Sequence, residues 1–540
     1  MQHILSPDSM RQADAYAIHK LGIPAAILME NAARSAFQII QRRLDEFWGN
    51  RSGTRQILVL AGSGNNGGDG FVIARHFFHC PDVRVRVAWI GAKEKMSAET
   101  LANFYALEKH GIPLQFLASE EDARALTLEA DCIIDALIGT SGSENLRGLV
   151  LVLLERLANE FSDEFSPKTN LRIAIDVPTG LNALTGKAHK YCFQADCTIT
   201  MAALKTGLLL NDGRRVCGEL TIVPIGIPEA YIANTAQIHA LELSDIRTFL
   251  PHRSNYHQTN KRSYGQVGVI GGSAQMHGAP TLTANASIYA GAGLVRLYSP
   301  TTMPHAALAP EIMHTPLHAT EAGGISLAAL PLIQKAAEVN DVLVCGMGLG
   351  TEEESLECMR RLIATLPAKT ALVLDADALR ALRLPNGDII NLPANAHKNV
   401  ICTPHHGEFA RLTGLPREDI AENAAVLAAE WSSRLGCTIL LKNVPTIVSG
   451  VFFDENEVAT PHQYWNLNGN AGMATAGSGD VLAGVIAALL AQGVEGLRAA
   501  ALGAFLHAAA GDICAEQFSP EGVTASGIIA CLPKVFPQKS

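Results

Sequence analysis

Short apolar runs alternate with longer stretches whose apolar residues recur every three to four positions, and this alternation fills most of the chain. Continuous apolar runs mark strands buried on both faces, and the helical recurrence marks amphipathic helices. In the first half the runs predict strands at 56–61, 83–90, 131–137, 171–177, 196–201 and 219–225, with helices over 96–110 and 149–160. Two helices are expected ahead of them. Ser9 and Gln12 have capping-box spacing before ADAYAIHK. Pro24 opens a helix in which Met29, Ala33, Ala36 and Ile40 share a face.

The alternation pauses over 228–243 and resumes with strands expected at 264–271, 341–346, 371–375, 399–403 and 438–442. Three helix-forming stretches follow from Asp480 to the C-terminus. From 263 to 295 no Asp, Glu, Lys or Arg occurs, but glycines, a proline and a histidine divide that stretch into strand, loop and helix. Strands separated by helices predict an α/β fold of two doubly wound parallel sheets, over 1–235 and 236–540.

Composition supports a few large domains, although 540 residues alone would allow three or four. With 48% hydrophobic and 17% charged residues the chain is neither disordered nor fibrous. The 42 basic and 52 acidic residues give a net charge of −10, which argues against nucleic acid and anionic lipid as partners. Small anions remain possible ligands, because backbone amides bind phosphate without net charge. Eleven cysteines without a CxxC pair predict buried thiols and a reducing compartment. No signal peptide precedes the first helix, and the longest uncharged, proline-free apolar helical stretch, 481–494, has 14 residues where a membrane span needs about 20. A cytoplasmic location is expected.

Several strand ends carry chemistry. The first strand runs into Ser63-Gly64-Asn65-Asn66-Gly67-Gly68-Asp69-Gly70 ahead of FVIARHFF, a turn that would present bare amides at a helix start. Gly62, Gly64 and Gly67 fit GxGxxG, but the second strand ends in Trp89-Ile90-Gly91 and lacks the acid of a dinucleotide-binding dehydrogenase. Gly186-Lys187-Ala188 lacks the hydroxyl of a Walker A loop. Carboxyl strand ends of a parallel sheet converge on one crevice, so Asn66, Asp135 and Thr179 could offer oxygens to a hard cation and Asp176 could serve as acid or base. Each acid taken alone would be an ordinary turn or cap residue.

In the second half, Asn470-Ala471-Gly472-Met473-Ala474-Thr475-Ala476-Gly477-Ser478-Gly479-Asp480 precedes an apolar helix. Small residues at a helix start can hold a transferring phosphoryl group, and Asp480 stands where a base could take a proton from the attacking hydroxyl. Lys442-Asn443-Val444-Pro445-Thr446 offers a cation and a hydroxyl to nucleotide phosphates. His405 or Glu408 could meet substrate or a magnesium-bound phosphate, and Asp375-Ala376-Asp377 carries two acids, one of them a helix cap.

The Gly477-Ser478-Gly479-Asp480 motif resembles the ribokinase-like superfamily. With GGSAQMHGAP, PEIM, DADAL and TPHHGEF, the second half is similar to nucleotide-dependent NAD(P)H-hydrate dehydratases. The first half, through GSGNNGGDGFVIAR, IIDALIGT, AIDVPTGL and ADCTITMAALKTGL, is similar to NAD(P)H-hydrate epimerases. In this order the motifs resemble the family of bifunctional NAD(P)H-hydrate repair enzymes over nearly the whole chain. The resemblance implies a Rossmann-like epimerase domain and a ribokinase-like dehydratase domain. NADH and NADPH gain water at C6 of the nicotinamide ring, giving R and S hydrates; the first domain would interconvert them. The second would spend ADP, or ATP, with Mg2+, to return the S epimer to the cofactor.

Carried over by motif, Asn65, Asn66, Gly67, Gly68 and Asp69 would hold the hydrate in the first domain. Gly139, Thr140, Ser141, Gly142, Ser143, Glu144 and Asn145 would do so as well, with Asp176 at the reacting ring. Asn66, Asp135 and Thr179 would bind K+. In the second domain Ala279, Gly348, His405 and Asp480 would line the hydrate site, and Lys442, Asn443, Val444, Pro445, Thr446 and Gly479 would bind ADP. Asp480 would deprotonate the C6 hydroxyl, which accepts the phosphoryl group and leaves as phosphate. The expected partners are small molecules and further copies of the chain in a homo-oligomer.

The sequence departs from the family pattern at Met347, Asn443, Asn260-Lys261-Arg262, Ser141 and Thr179, of which Thr179 keeps the hydroxyl. Two other functions compete: a small-alcohol kinase of the same fold with a regulatory first domain, and a non-catalytic nucleotide-binding first domain. The second leaves Asp135 and Asp176 without a chemical task.

Overall fold

A computed structural model describes residues 1–49, 53–142, 144–161, 170–250, 259–300, 307–384, 386–393, 395–453 and 458–536. Two compact units emerge, Gln2–Gln237 and Ile238–Ser540, the latter with Met1.

In the first unit, β1 (Gln2–Leu5) is followed by β2 (Arg55–Ala61), β3 (Val83–Trp89), β4 (Leu114–Phe116), β5 (Cys132–Ala136), β6 (Leu171–Ile175), β7 (Cys197–Met201), β8 (Leu204–Lys205) and β9 (Glu219–Val223). Seven of them form an all-parallel sheet in the order β4-β3-β2-β5-β6-β7-β9, while β1 pairs in parallel with β8, Ile4 opposite Leu204, outside that sheet. Strand pleating sends alternate side chains of β2 into two cores. Ile57, Val59 and Ala61 meet Ala33, Ile40 and Phe71 on one face, and Leu58 and Leu60 meet Leu153 and Leu157 on the other. Both faces are therefore covered, as the continuous apolar runs require.

Two local expectations are corrected. The first helix, Pro7–His19, starts earlier than the Ser9–Gln12 spacing suggests: Ser6 is the cap, its Oγ accepting from Ser9 N at 3.0 Å, and proline takes the first helical position. The glycine-rich stretch after β2 is helical from Asn65, within Asn65–Phe78. Some of its glycines serve packing: a Cβ at Gly67 would collide with the Gly62 carbonyl, so only glycine lets this helix sit so close to β2.

The second unit contains β10 (Ile238–Ala240), β11 (Gln266–Ile270), β12 (Leu294–Pro300), β13 (Met313–Leu317), β14 (Val342–Cys345), β15 (Ala371–Leu374), β16 (Val400–Cys402), β17 (Thr438–Leu441), β18 (Thr446–Phe453) and β19 (Ala459–Asn466). Their order is β13-β12-β11-β14-β15-β16-β17-β18-β19-β10. The run from β13 to β17 is parallel, but β17–β18 and β18–β19 are antiparallel, so this sheet is mixed and not wholly parallel. In this unit the apolar pattern does not mark β10, β12, β13, β18 or β19: β10 is three residues long, and Arg296, Pro316, Ser449 and Pro461 interrupt the others.

The helix Ser478–Ala491 is apolar all round, with Val481 to Leu489 buried. Such a helix belongs inside a core, and it lies against Gly278–Tyr289, where Ser287 Oγ donates to the Gly484 carbonyl at 3.1 Å. The helix Gly496–Phe518 has the length and composition of a membrane-crossing segment, yet 78% of its most apolar window is buried within the protein. All eleven cysteines are unpaired as disulfides, and only Cys80 is not buried.

Candidate functional site

In each unit the parallel strands run third-second-first-fourth-fifth in chain order, so the connections reverse direction between the first and fourth strands. Ligands of doubly wound sheets bind at that reversal, beyond the carboxyl ends of the strands.

In the first unit the reversal lies between β2 and β5, and a cavity of about 640 Å3 opens there, within the usual range for small-molecule sites. Asn65, Asn66, Asp69, Thr140, Ser141 and Asp176 all line it. Gly67 and Gly68 pack into the unit, Gly68 facing Met29 and Thr100. Gly139 borders Asn66 and Asp176, and Gly142 N closes a turn onto the Gly139 carbonyl at 2.9 Å. Glu144 accepts from Asn182 Nδ2 at 2.9 Å, which holds its carboxyl below the usual range. Ser143 lies outside the described residues.

Asp176 follows β6 with φ of 66°, a strained left-handed conformation for an aspartate. Its Oδ1 accepts from Lys205 Nζ at 2.6 Å, and Lys205, 1% exposed, also donates to Thr200 Oγ1 at 2.9 Å and the Met201 carbonyl at 2.8 Å. Lys205 escaped the sequence reading as a site residue. Its signal was a lone lysine closing an apolar run, which ordinarily marks a solvated strand end. Asp14, on Pro7–His19, also lines the cavity and was likewise missed.

Beneath the rim, the fully buried Asp135 accepts from Thr179 N and Thr179 Oγ1, both at 2.7 Å, and from Leu137 N at 3.1 Å. Burial nevertheless pushes its carboxyl up to about 6. Both side-chain polar atoms of Asn66 are buried without a partner among the described residues. A buried carboxylate lacking a cation, a threonine hydroxyl and an orphaned amide oxygen suit a hard cation. No cluster of three or more His, Cys, Asp or Glu suited to a metal ion occurs among the described residues.

In the second unit successive strand ends carry the candidate residues. Gly348 follows β14 with φ of 64°, and a Cβ there would press on the Met276 carbonyl and meet Ala279. Asp375 follows β15, His405 follows β16 and Lys442 follows β17. Lys442 Nζ donates to Asp375 Oδ1 at 2.7 Å and lies 3.7 Å from Glu408 Oε2. Burial pulls the ammonium down, but these two carboxylates outweigh it and hold it above its usual value. His405 caps the helix His406–Thr413, its Nδ1 accepting from Gly407 N at 2.9 Å, while Glu408 Oε2 accepts from His405 N at 2.9 Å. Burial lowers the His405 imidazole. Val444 is exposed in the turn from β17 to β18, and Thr446 Oγ1 donates to the Asn443 carbonyl at 2.9 Å.

Asp480 stands in the first turn of Ser478–Ala491, after Gly477 at φ of 84°. Burial and the neighbouring Asp375 push its carboxyl up to about 7, with Lys442 offsetting part of that. Its side chain makes no hydrogen bond or ion pair among the described residues. A Cβ at Gly479 would lie 3.3 Å from Lys442 Nζ, which puts the helix start, Lys442 and Asp375 together. A carboxyl balanced at neutrality, beside a cation and free helix amides, can take a proton from a hydroxyl next to a phosphate.

Comparison with known proteins finds a family match in each half of the chain. A family model described as "NAD(P)H-hydrate dehydratase" matches residues 267–534, and one described as "YjeF-related protein N-terminus" matches 25–207. The bifunctional NAD(P)H-hydrate repair enzyme of Moorella thermoacetica is 35% identical over 99% of this chain and 96% of its own length. Among solved structures, a ribokinase-like superfamily protein of Enterococcus faecalis is 27% identical, covers 56% of this chain and 95% of its own, and has a TM-score of 0.47. The ADP/ATP-dependent NAD(P)H-hydrate dehydratase of Bacillus subtilis, co-crystallised with ATP and Mg2+, is 24% identical, covering 55% of this chain and 97% of its own at a TM-score of 0.44.

Proposed function

The chain belongs to the family of bifunctional NAD(P)H-hydrate repair enzymes, and on that premise we propose how its two sites share the work. Residues 1–235 interconvert the R and S hydrates of NADH and NADPH, and residues 236–540 dehydrate the S epimer at the expense of ADP or ATP. Repair of this kind belongs in the cytoplasm, where the cofactors are used, and we expect the chain to act as a homo-oligomer.

In the first site Asn65, Asn66, Asp69 and the segment from Gly139 to Asn145 hold the hydrate, with Asp176 at the reacting ring. Lys205 keeps Asp176 aimed at the cavity and supplies its counter-charge. Asn66, Asp135 and Thr179 would hold K+, which would supply positive charge to the site.

In the second site Ala279 and Gly348 let the hydrate approach the sheet end closely, and His405 borders it. Lys442 to Thr446 and Gly479 receive the nucleotide. Mg2+ carried by the nucleotide supplies charge neutralisation, and Glu408 and His405 are the side chains that would meet it. Asp480 removes the C6 hydroxyl proton as the oxygen attacks the terminal phosphorus. The bond from that phosphorus to the nucleotide breaks, and C6 then loses phosphate, a far better leaving group than hydroxide.

The observation that carries this reading is Asp480: a half-buried carboxyl near neutrality, without a side-chain partner among the described residues, at a glycine-rich helix start beside Lys442. The test incubates the protein with prepared NADH hydrate and ADP or ATP and follows recovery of the NADH absorbance band. Recovery with either nucleotide is expected; recovery with neither defeats the reading.

A further inference from the structure

Resting on the epimerase reading of the first unit, we propose that Asp14 is a second catalytic carboxyl of that site, exchanging a proton with the substrate across the ring from Asp176. The helix that carries it precedes the residues matched by the family model, which start at 25. That helix is nonetheless part of the site. Pro7, Met10, Ala13 and Ala17 bury one face, and Tyr16 stacks on Tyr231 with ring centres 3.9 Å apart. This docking turns Met10, Arg11, Asp14 and Ile18 towards the cavity that Asp176 lines.

The ionisable groups of the cavity are Arg11, Asp14, Asp69, Glu99, Asp176 and Lys205. Two cations are already committed, Arg11 to Asp8 and Lys205 to Asp176. Asp14 makes no hydrogen bond or ion pair among the described residues. Its burial and the Asp176 charge push it up to about 6 against the pull of Lys205, while Asp69, buried and facing both acids, is held well above the carboxylate range. The three carboxyls thus divide. Burial biases Asp69 towards its protonated form, Asp176 has a built-in counter-cation, and Asp14, lining the same cavity without a partner among the described residues, is placed to release and recover a proton near neutrality. Environments that separate the acidities of neighbouring carboxyls are how one site obtains both an acid and a base.

The reaction needs both. The hydrate carries its hydroxyl on a carbon bonded to the ring nitrogen. Asp14 gives its proton to that hydroxyl as the C6–O bond breaks; water leaves, and the nitrogen lone pair forms a C=N bond. A water then adds to the opposite face of C6, forming the new C–O bond and passing a proton to the Asp176 carboxylate. One water leaves and one enters, no electron is transferred, and cavity solvent returns the proton from Asp176 to Asp14. The other epimer runs the sequence in reverse.

The test uses the full chain, the prepared R hydrate of NADH, and the Asp14→Asn and Asp14→Glu variants. Asp14→Asn should lower kcat for epimerisation about 100-fold or more, leave KM within a few-fold, and remove the limb of the pH profile near 6. Asp14→Glu should restore part of kcat together with that limb. Both variants should dehydrate the S epimer like the parent chain. In 18O-labelled water the parent chain should place label in the C6 hydroxyl at the rate of epimerisation. Native kcat in Asp14→Asn, or unlabelled product, overturns the inference. If Asp14→Asn unfolds the first unit, Asp14→Glu decides, and a pH profile without the limb overturns it. A parent chain that epimerises nothing defeats the functional reading instead.

Discussion

Replacing Asp480 by asparagine should stabilise the protein and inactivate its dehydratase site, and the stabilisation should depend on pH in a defined direction. Burial, aided by Asp375, raises the native carboxyl from its ordinary 3.8 to about 7. The native chain therefore keeps a proton that the unfolded chain has already released. Stability contributed by this group is complete below about pH 4, falls as pH rises towards 7, and is constant above that. At about 1.4 kcal/mol per pH unit, the cost of the ionised group at high pH is on the order of 4 kcal/mol. An asparagine amide without a partner gives back about 1–3 kcal/mol, leaving a net gain of about 1–3 kcal/mol at about pH 8 and little or none at about pH 5. Urea unfolding read by hydrogen exchange in peptides of the helix Ser478–Ala491 follows the relevant unit alone. Dehydration of the S hydrate should fall by about 100- to 10,000-fold in the same preparation. A stability difference that is equal at the two pH values, or a variant less stable at pH 8, refutes the reasoning.

Two further outcomes follow from the first site. Lys205→Met should abolish epimerisation and destabilise the first unit by about 3–5 kcal/mol, because it strands Asp176; adding Asp176→Asn should recover stability in thermal melts but not activity. Exchanging K+ for tetramethylammonium should slow epimerisation reversibly, and Asp135→Asn should remove the response, as measured by the rate of R-to-S conversion. Equal rates in both buffers would exclude a potassium site.

The sequence conveyed architecture wherever burial alone sets the pattern. From Ile57 to Ala61 β2 is buried on both faces and reads as an uninterrupted apolar run, and β5 does so but for Asp135. The antiparallel hairpin β18–β19 did not, because half of its positions are exposed or polar, and Pro461 and His462 interrupt it. Glycines were legible as a group but not by purpose: Gly67 serves packing and Gly477 a helix start, and only coordinates separate the two. Asp480 stood out through its neighbours in the chain. Lys205, Asp14 and Asp375 belong to sites assembled across distant segments: Lys205 and Asp375 lie in motifs that do not reveal their partners, and no motif stands beside Asp14. The ion pair of Lys442 with Asp375 spans 67 residues, a separation that periodicity cannot bridge.

The placement of Asp480 on the helix Ser478–Ala491 has a mechanical consequence. Most of that helix is clamped in the core, with Thr283 Oγ1 donating to the Asp480 carbonyl at 2.9 Å. The base is the tip of a lever whose shaft is the hydrophobic interior. A truncated methyl group two or three turns away can tilt the tip by a fraction of an ångström, and alignment of this kind is worth orders of magnitude in rate. Substitutions deep in the second unit should therefore surface first as lost turnover, before any loss of fold is measurable.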